Sequence, residues 1–169
     1  YLIQSNNLDK AKKIILELIK KYPQSYDLKN LMGLVEAKKE NYKKAISFFK
    51  EAIDINPKPI GAYINIGVAY EKLNELLESI KYLQKAININ PNLEIVYNSL
   101  AKVFSKSNQY NDAILNFKKA IKINPTNHEN YFNLANTLSI AFDYKNAILN
   151  YKARGMKIFK NEVLKRKVI

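Results

Sequence analysis

Across residues 60–93 the apolar positions recur with a helical period, not with the period of two that a half-buried strand requires. Tyr63, Ile66, Gly67 and Tyr70 fall at i, i+3, i+4 and i+7, one face of a helix. Leu76, Ile80, Leu83, Ala86 and Ile87 form a second such face. Asn74 lies between the two runs, and asparagine tolerates the left-handed conformation that ends a helix. The second run stops at Ile89-Asn90-Pro91, because proline disfavours a helical residue before it and cannot continue the hydrogen-bond ladder. The pattern predicts helix, short turn, helix, stop.

The same unit recurs along the chain. Pro23, Pro57, Pro91 and Pro125 are spaced by a constant 34 residues. Ala45, Ser79 and Ala113 keep that step, as do Phe49, Leu83 and Phe117, then Ala52, Ala86 and Ala120, then Tyr63, Tyr97 and Tyr131. A period of this length marks a stacked array of supersecondary units. Gly33, Gly67, Ala101 and Ala135 share one position of the first helix. Small residues there let two helix axes approach, with a large side chain of the partner filling the notch.

These positions resemble the tetratricopeptide repeat, whose signature runs W-x2-L-G-x2-Y, A-x3-F, A, P. One copy reads Tyr63, Ile66-Gly67, Tyr70, Ser79, Leu83, Ala86, Pro91, and the next reads Tyr97, Leu100-Ala101, Phe104, Ala113, Phe117, Ala120, Pro125. Residues 26–59 give Met32-Gly33, Ala45, Phe49, Ala52 and Pro57, with Lys29 in the aromatic place. The resemblance implies an all-α fold, a right-handed superhelical solenoid of antiparallel helix hairpins. The expected array has a partial repeat at 1–25, full repeats at 26–59, 60–93 and 94–127, a degenerate terminal repeat at 128–161, and a helix extension or cap at 162–169. In the degenerate repeat Arg154 and Gly155 stand where Ala and Ile belong, and Phe159 where Pro belongs. Residue 1 falls inside a repeat and no Met opens the chain, so the sequence reads as a fragment.

Composition narrows the chemistry. With 47% apolar residues the chain can bury a continuous core. It has no Cys and a single His, His128, so neither a disulfide framework nor a histidine metal cluster is expected. No apolar run approaches the ~20 residues of a membrane-spanning helix. The net charge of +13 has two readings, a functional basic surface or the lysine- and asparagine-rich bias of an AT-rich genome. Only Arg154 and Arg166 could offer guanidinium forks to phosphate, and the tyrosines at 42, 63, 97, 110, 131 and 144 are assigned to inter-helix packing, so nucleic acid is an unlikely partner. No glycine-rich phosphate loop, Ser/His/Asp arrangement or metal spacing is present, so the chain is not expected to be an enzyme or to hold a cofactor.

The resemblance implies that first helices line a concave groove in which an extended peptide or partner helix lies. Steps of 34 then give the rows Leu31, Asn65, Ser99, Asn133; Asn30, Ile64, Asn98, Phe132; Leu34, Val68, Lys102, Asn136; and Lys38, Lys72, Lys106, Ile140. A side-chain amide such as that of Asn65 or Asn133 donates and accepts at once and can pair with a peptide backbone whatever its sequence. Lys72, Lys102 and Lys106 would attract acidic groups, while Val68 and Phe132 would take apolar side chains. The candidate peptide-binding residues are therefore Asn65, Val68, Lys72, Asn98, Ser99, Lys102, Lys106, Phe132, Asn133 and Asn136. The expected function is a protein-interaction scaffold for an extended, acidic segment of a protein partner. The alternative is the recruiting arm of a larger glycosyltransferase- or sulfotransferase-type enzyme. The cytoplasm is the favoured compartment, and the oligomeric state is open.

Overall fold

In the computed structural model residues 7–141, 146, 149 and 150 are described. Those residues form eight α-helices and no strand: α1 Leu8–Lys21, α2 Tyr26–Lys38, α3 Tyr42–Ile55, α4 Ile60–Lys72, α5 Leu76–Ile89, α6 Glu94–Lys106, α7 Tyr110–Ile123 and α8 His128–Ile140. The helix pairs begin at Tyr26, Ile60, Glu94 and His128, in step with the repeat. The chain divides into two compact units, Tyr1–Pro91 and Asn92–Ile169, each described by itself. Tyr144, Arg154, Gly155, Phe159 and the proposed cap at 162–169 lie outside the described residues.

The stops work as the prolines require. Tyr22, Asn56, Asn90 and Asn124, each just before a proline, leave the helical region with φ between −131° and −144°. Each still donates its N–H to a carbonyl four residues back, so the helix closes its last bond before turning away. The turns inside the hairpins are closed differently. Glu40, Asn74 and Asn108 have φ of 60° to 61°, one repeat apart. The next residue reaches back in each case: Asn41 N–H donates to the Glu36 carbonyl, Glu75 to Tyr70 and Gln109 to Phe104, all at 2.9 Å. This is the left-handed cap that satisfies carbonyls orphaned at a helix end. Asparagine suits it at 74 and 108, whereas Glu40 takes the same conformation against its preference.

In the first unit the hairpins interlock through glycine. A Cβ added to Gly33 would lie 2.4 Å from Cε1 of Phe49, and one added to Gly67 would lie 2.7 Å from Cγ of Leu83. Phe49 and Leu83 therefore fill space that only glycine leaves open, and both are buried. Burying side chains of this size stabilises by about 1.5–3 kcal/mol each. Ser79, in the row otherwise held by Ala45 and Ala113, is fully buried and donates its hydroxyl to the Gly67 carbonyl at 2.7 Å. In the second unit Ala101 occupies the notch against Ala113 and Phe117, with Leu134 and Leu138 of α8 completing the cluster.

The tyrosine rows are less deep than their repeat positions suggest. Tyr97 is buried, but Tyr42, Tyr63, Tyr110 and Tyr131 are half-buried. The core proper is mostly alanine, leucine, isoleucine, valine, methionine and phenylalanine, because a phenol placed at the edge keeps its hydroxyl within reach of water. Lys29, in the aromatic place, forms an ion pair with Glu51 of α3. Two repeats later the same two positions hold Tyr97 and Lys119, and the ammonium lies 5.5 Å from the ring centroid.

Glu36 occupies the place held by Tyr70 and Phe104 in the next copies. It is 1% exposed. Lys12 of α1 reaches its carboxylate at 2.6 Å and the Asn41 amide donates to it at 2.9 Å. Burial alone would raise its pKa. The bonds from Lys12 and Asn41, with the charges of Lys12 and Lys44, outweigh that and hold the carboxyl below its ordinary range.

Candidate functional site

Two first helices of the first unit, α2 and α4, border a cleft of about 290 Å³. Leu34, Ala37, Tyr42, Phe49, Val68 and Ala69 make it apolar, and Asn65, Lys38 and Lys72 add polar groups. The sequence places these residues together because 34 and 68, then 38 and 72, are one repeat apart and lie on the same helix face. Phe49 reaches the cleft from α3 because its ring already occupies the notch at Gly33. Three of the sequence-predicted residues, Asn65, Val68 and Lys72, are thus brought to one place. Val68 is 38% exposed, so its apolar surface remains open to a ligand. Neither the Asn65 amide nor the Lys72 ammonium has a side-chain partner among the described residues. No Asp or Glu lines the cleft.

The predicted residues of the second unit are arranged otherwise. Asn98 is 6% exposed, and its amide donates to Oδ1 of Asn130 across α6 and α8. Asn130, fully buried, donates to Oε1 of Glu94 at 2.6 Å, and Asn127 donates to the same oxygen at 2.8 Å. Asn127 also caps α8, accepting the Glu129 N–H at 3.0 Å. Ser99 donates to the Ile95 carbonyl within its own helix. Lys102 forms an ion pair with Glu129 at 2.7 Å, with both side chains about half exposed. Lys106, Phe132 and Asn136 are each engaged within the fold. Asn133 is half-buried, and among the described residues its Nδ2 is a buried donor without a partner, as Oδ1 of Asn98 is a buried acceptor without one. Asn98 therefore faces the packing of α6 on α8, and Asn98, Ser99 and Lys102, which the rows alone present as a binding surface, bond within the fold.

That network escaped the sequence reading, as did Glu36. Its signal was present: Asn130 interrupts the row Leu28, Ala62, Val96, a polar residue in an otherwise apolar position. A separate pocket of about 450 Å³ lies at the α6–α7 turn, among Asn108, Tyr110, Asp112 and Ile140, and contains none of the predicted residues. Among the described residues no group of three or more His, Asp or Glu could hold a metal ion. No helix among them is long and apolar enough to cross a membrane.

A helical-repeat fold with an apolar cleft between successive first helices is a fold for presenting a surface to another chain. Sequence models of the tetratricopeptide repeat match residues 1–58 and 61–93, and a TPR repeat model matches residues 103–139. The chain belongs to the tetratricopeptide repeat family, whose members are protein-interaction scaffolds. Solved structures agree on the fold. MamA from Desulfovibrio magneticus RS-1 superposes with a TM-score of 0.83 at 15% identity, covering 99% of this chain and 92% of that one. PilF of Pseudomonas aeruginosa gives 0.83 at 18% identity over 95% and 73% of the two chains. YrrB, described as a TPR protein with an unusual peptide-binding site, gives 0.74 at 18% identity over 99% and 87%. No curated protein matches the sequence.

Proposed function

We propose that the protein is a non-catalytic scaffold that holds an extended segment of a partner protein against its first helices, the surface expected to form the concave groove. The observation that carries this reading is the α2/α4 cleft, which joins apolar surface to the Asn65 amide and the Lys72 ammonium, neither with a side-chain partner among the described residues. An apolar floor gives affinity, and a few placed polar groups give orientation. Asn65 can answer a peptide C=O and N–H together. The peptide-binding site described for YrrB, a structural neighbour, is in keeping with this use of the fold. The excess of basic residues favours an acidic partner. Contact through a modular surface of this kind corresponds to micromolar affinity, about −8 kcal/mol.

A selection from a random peptide library displayed on phage tests the proposal, followed by amide-exchange mapping of the bound peptides. Enriched extended peptides should protect first helices, α2, α4, α6 or α8. A footprint confined to α3, α5 and α7, or a selection that enriches nothing, overturns it.

A further inference from the structure

We infer that the element recognised is one apolar side chain with an acidic residue beside it, and that it is read by the α2/α4 cleft and not by α6 and α8. The inference rests on the scaffold reading above and narrows it to one site and one ligand chemistry. Four observations carry it.

At about 290 Å³ the cleft falls at the small end of the range for whole small-molecule ligands, which suits a single leucine- or phenylalanine-sized side chain. Its floor is apolar, so such a side chain leaves water without stranding a polar group. No acidic residue lines it, while Lys72 does, in a chain of net charge +13, so a carboxylate is the complementary neighbour. The fourth observation is the contrast in polar groups. Asn65 and Lys72 have no partners among the described residues, whereas Asn98, Ser99 and Lys102 are bound to Asn130, Ile95 and Glu129, and the unpartnered Nδ2 of Asn133 and Oδ1 of Asn98 are buried. A ligand reaching α6 and α8 must first displace those bonds, while a ligand reaching the cleft adds new ones.

Three fluorescein-labelled hexapeptide pools test this by fluorescence polarisation, with Leu-Glu, Ala-Glu or Leu-Lys fixed at the centre and the flanks randomised. The Leu-Glu pool should bind about tenfold or more tighter than the Ala-Glu pool, the ratio expected for one buried leucine. It should also exceed the Leu-Lys pool by several-fold, a margin that shrinks as salt screens the charges. Val68→Gln, which makes the floor polar without adding charge, should remove the Leu over Ala preference. Lys72→Glu should remove the Glu over Lys preference. Lys118→Glu, on the exposed face of α7, should change neither. Melting curves confirm that each variant folds, and Val68→Ala serves if Val68→Gln does not. Equal binding of the three pools overturns the inference. So do unchanged preferences in the cleft variants. If peptides from the phage selection instead protect α6 and α8, the scaffold reading stands and the cleft assignment falls. If the selection enriches nothing and no pool binds, both fall together.

Discussion

Asn30 and Asn98 occupy the same place in their repeats, and the two units surround them differently. In the second unit Asn98 meets Asn130, which meets Glu94, and a chain of amides and carboxylate ties α6 to α8. In the first unit the matching positions are Ala62 and Tyr26, so Asn30 has no such amide to meet, while Oδ1 is buried without a partner among the described residues in Asn30 and Asn98 alike. Further along the same helices Leu34 and Val68 face a cleft where Lys102 and Asn136 stand in the second unit. One backbone register therefore supports two kinds of first-helix layer, one held together by polar bonds and one left apolar and open. Buried polar groups are costly unless fully paired, so a layer that forms such a network engages groups that would otherwise serve a ligand. The apolar layer keeps its valences.

The largest expected effect comes from breaking the polar layer. Asn130→Ala deprives Asn98 of its hydrogen-bond partner and leaves Glu94 with Asn127 alone, which should cost about 2–3 kcal/mol. Chemical denaturation should show the loss, and amide exchange should place it in α6 and α8.

Transplanting the network sharpens the contrast. Ala62→Asn buries an amide at a fully buried site and should destabilise the first unit by about 2 kcal/mol. Adding Tyr26→Glu supplies the missing acceptor, so the pair should be less damaging than the sum of its parts by about 1 kcal/mol. Strict additivity in that double-mutant cycle would mean that register alone does not assemble the network.

The notches differ by one methyl group between the units. Gly67→Ala presses a Cβ to 2.7 Å from Leu83, and the overpacking should cost about 1–2 kcal/mol, a few degrees in Tm. Ala101 already carries that methyl, so Ala101→Gly should cost only about 1 kcal/mol through helix propensity. An unchanged Tm for Gly67→Ala would show that Leu83 can withdraw freely.

Glu36 gives the first unit an acid sensitivity. Its folded pKa is depressed, so the stability it contributes is present above the ordinary glutamate range and is lost as pH falls through the folded pKa. Glu36→Gln should cost about 1 kcal/mol at pH 7 and flatten the fall in stability below about pH 4.5. Parallel acid profiles of wild type and variant would refute that role. The smallest effect concerns the turn. Glu40→Gly relieves a left-handed residue and should stabilise by about 0.5–1 kcal/mol, whereas Asn74→Gly should be nearly neutral. Two equal responses would show that Glu40 is not strained.

What could be read from the sequence was whatever repeats along rows 34 residues apart. The non-helical residue before each of the four spaced prolines, the left-handed Asn74 and the glycine notches are one-row properties, and each is found in place. What escaped runs across rows. Glu36 is paired from Lys12, in the preceding copy, and from Asn41, in the turn, so a buried carboxylate stands where the row holds aromatics. Asn98 and Asn130 are 32 residues apart, not 34, and stepping by the repeat never lays one beside the other. Of the ten candidate site residues, Asn65, Val68 and Lys72 meet because a cleft needs only that neighbouring rows share a face. Ser99 and Lys102 bind inside the fold because their partners, Ile95 and Glu129, belong to no row that the motif defines.

The left-handed turns at Glu40, Asn74 and Asn108 also bear on how the chain acquires its structure. Each is fastened by its own backbone bond over five residues, so a hairpin can close as soon as its second helix is available. Even the network is short in sequence: Asn130 reaches Glu94 across 36 residues. Low contact order of this kind goes with folding in microseconds to milliseconds. A ribosome adds about 5–20 residues each second, so each hairpin has far longer than it needs before the next one emerges. Synthesis, not the search for native contacts, should set the pace at which such a chain assembles.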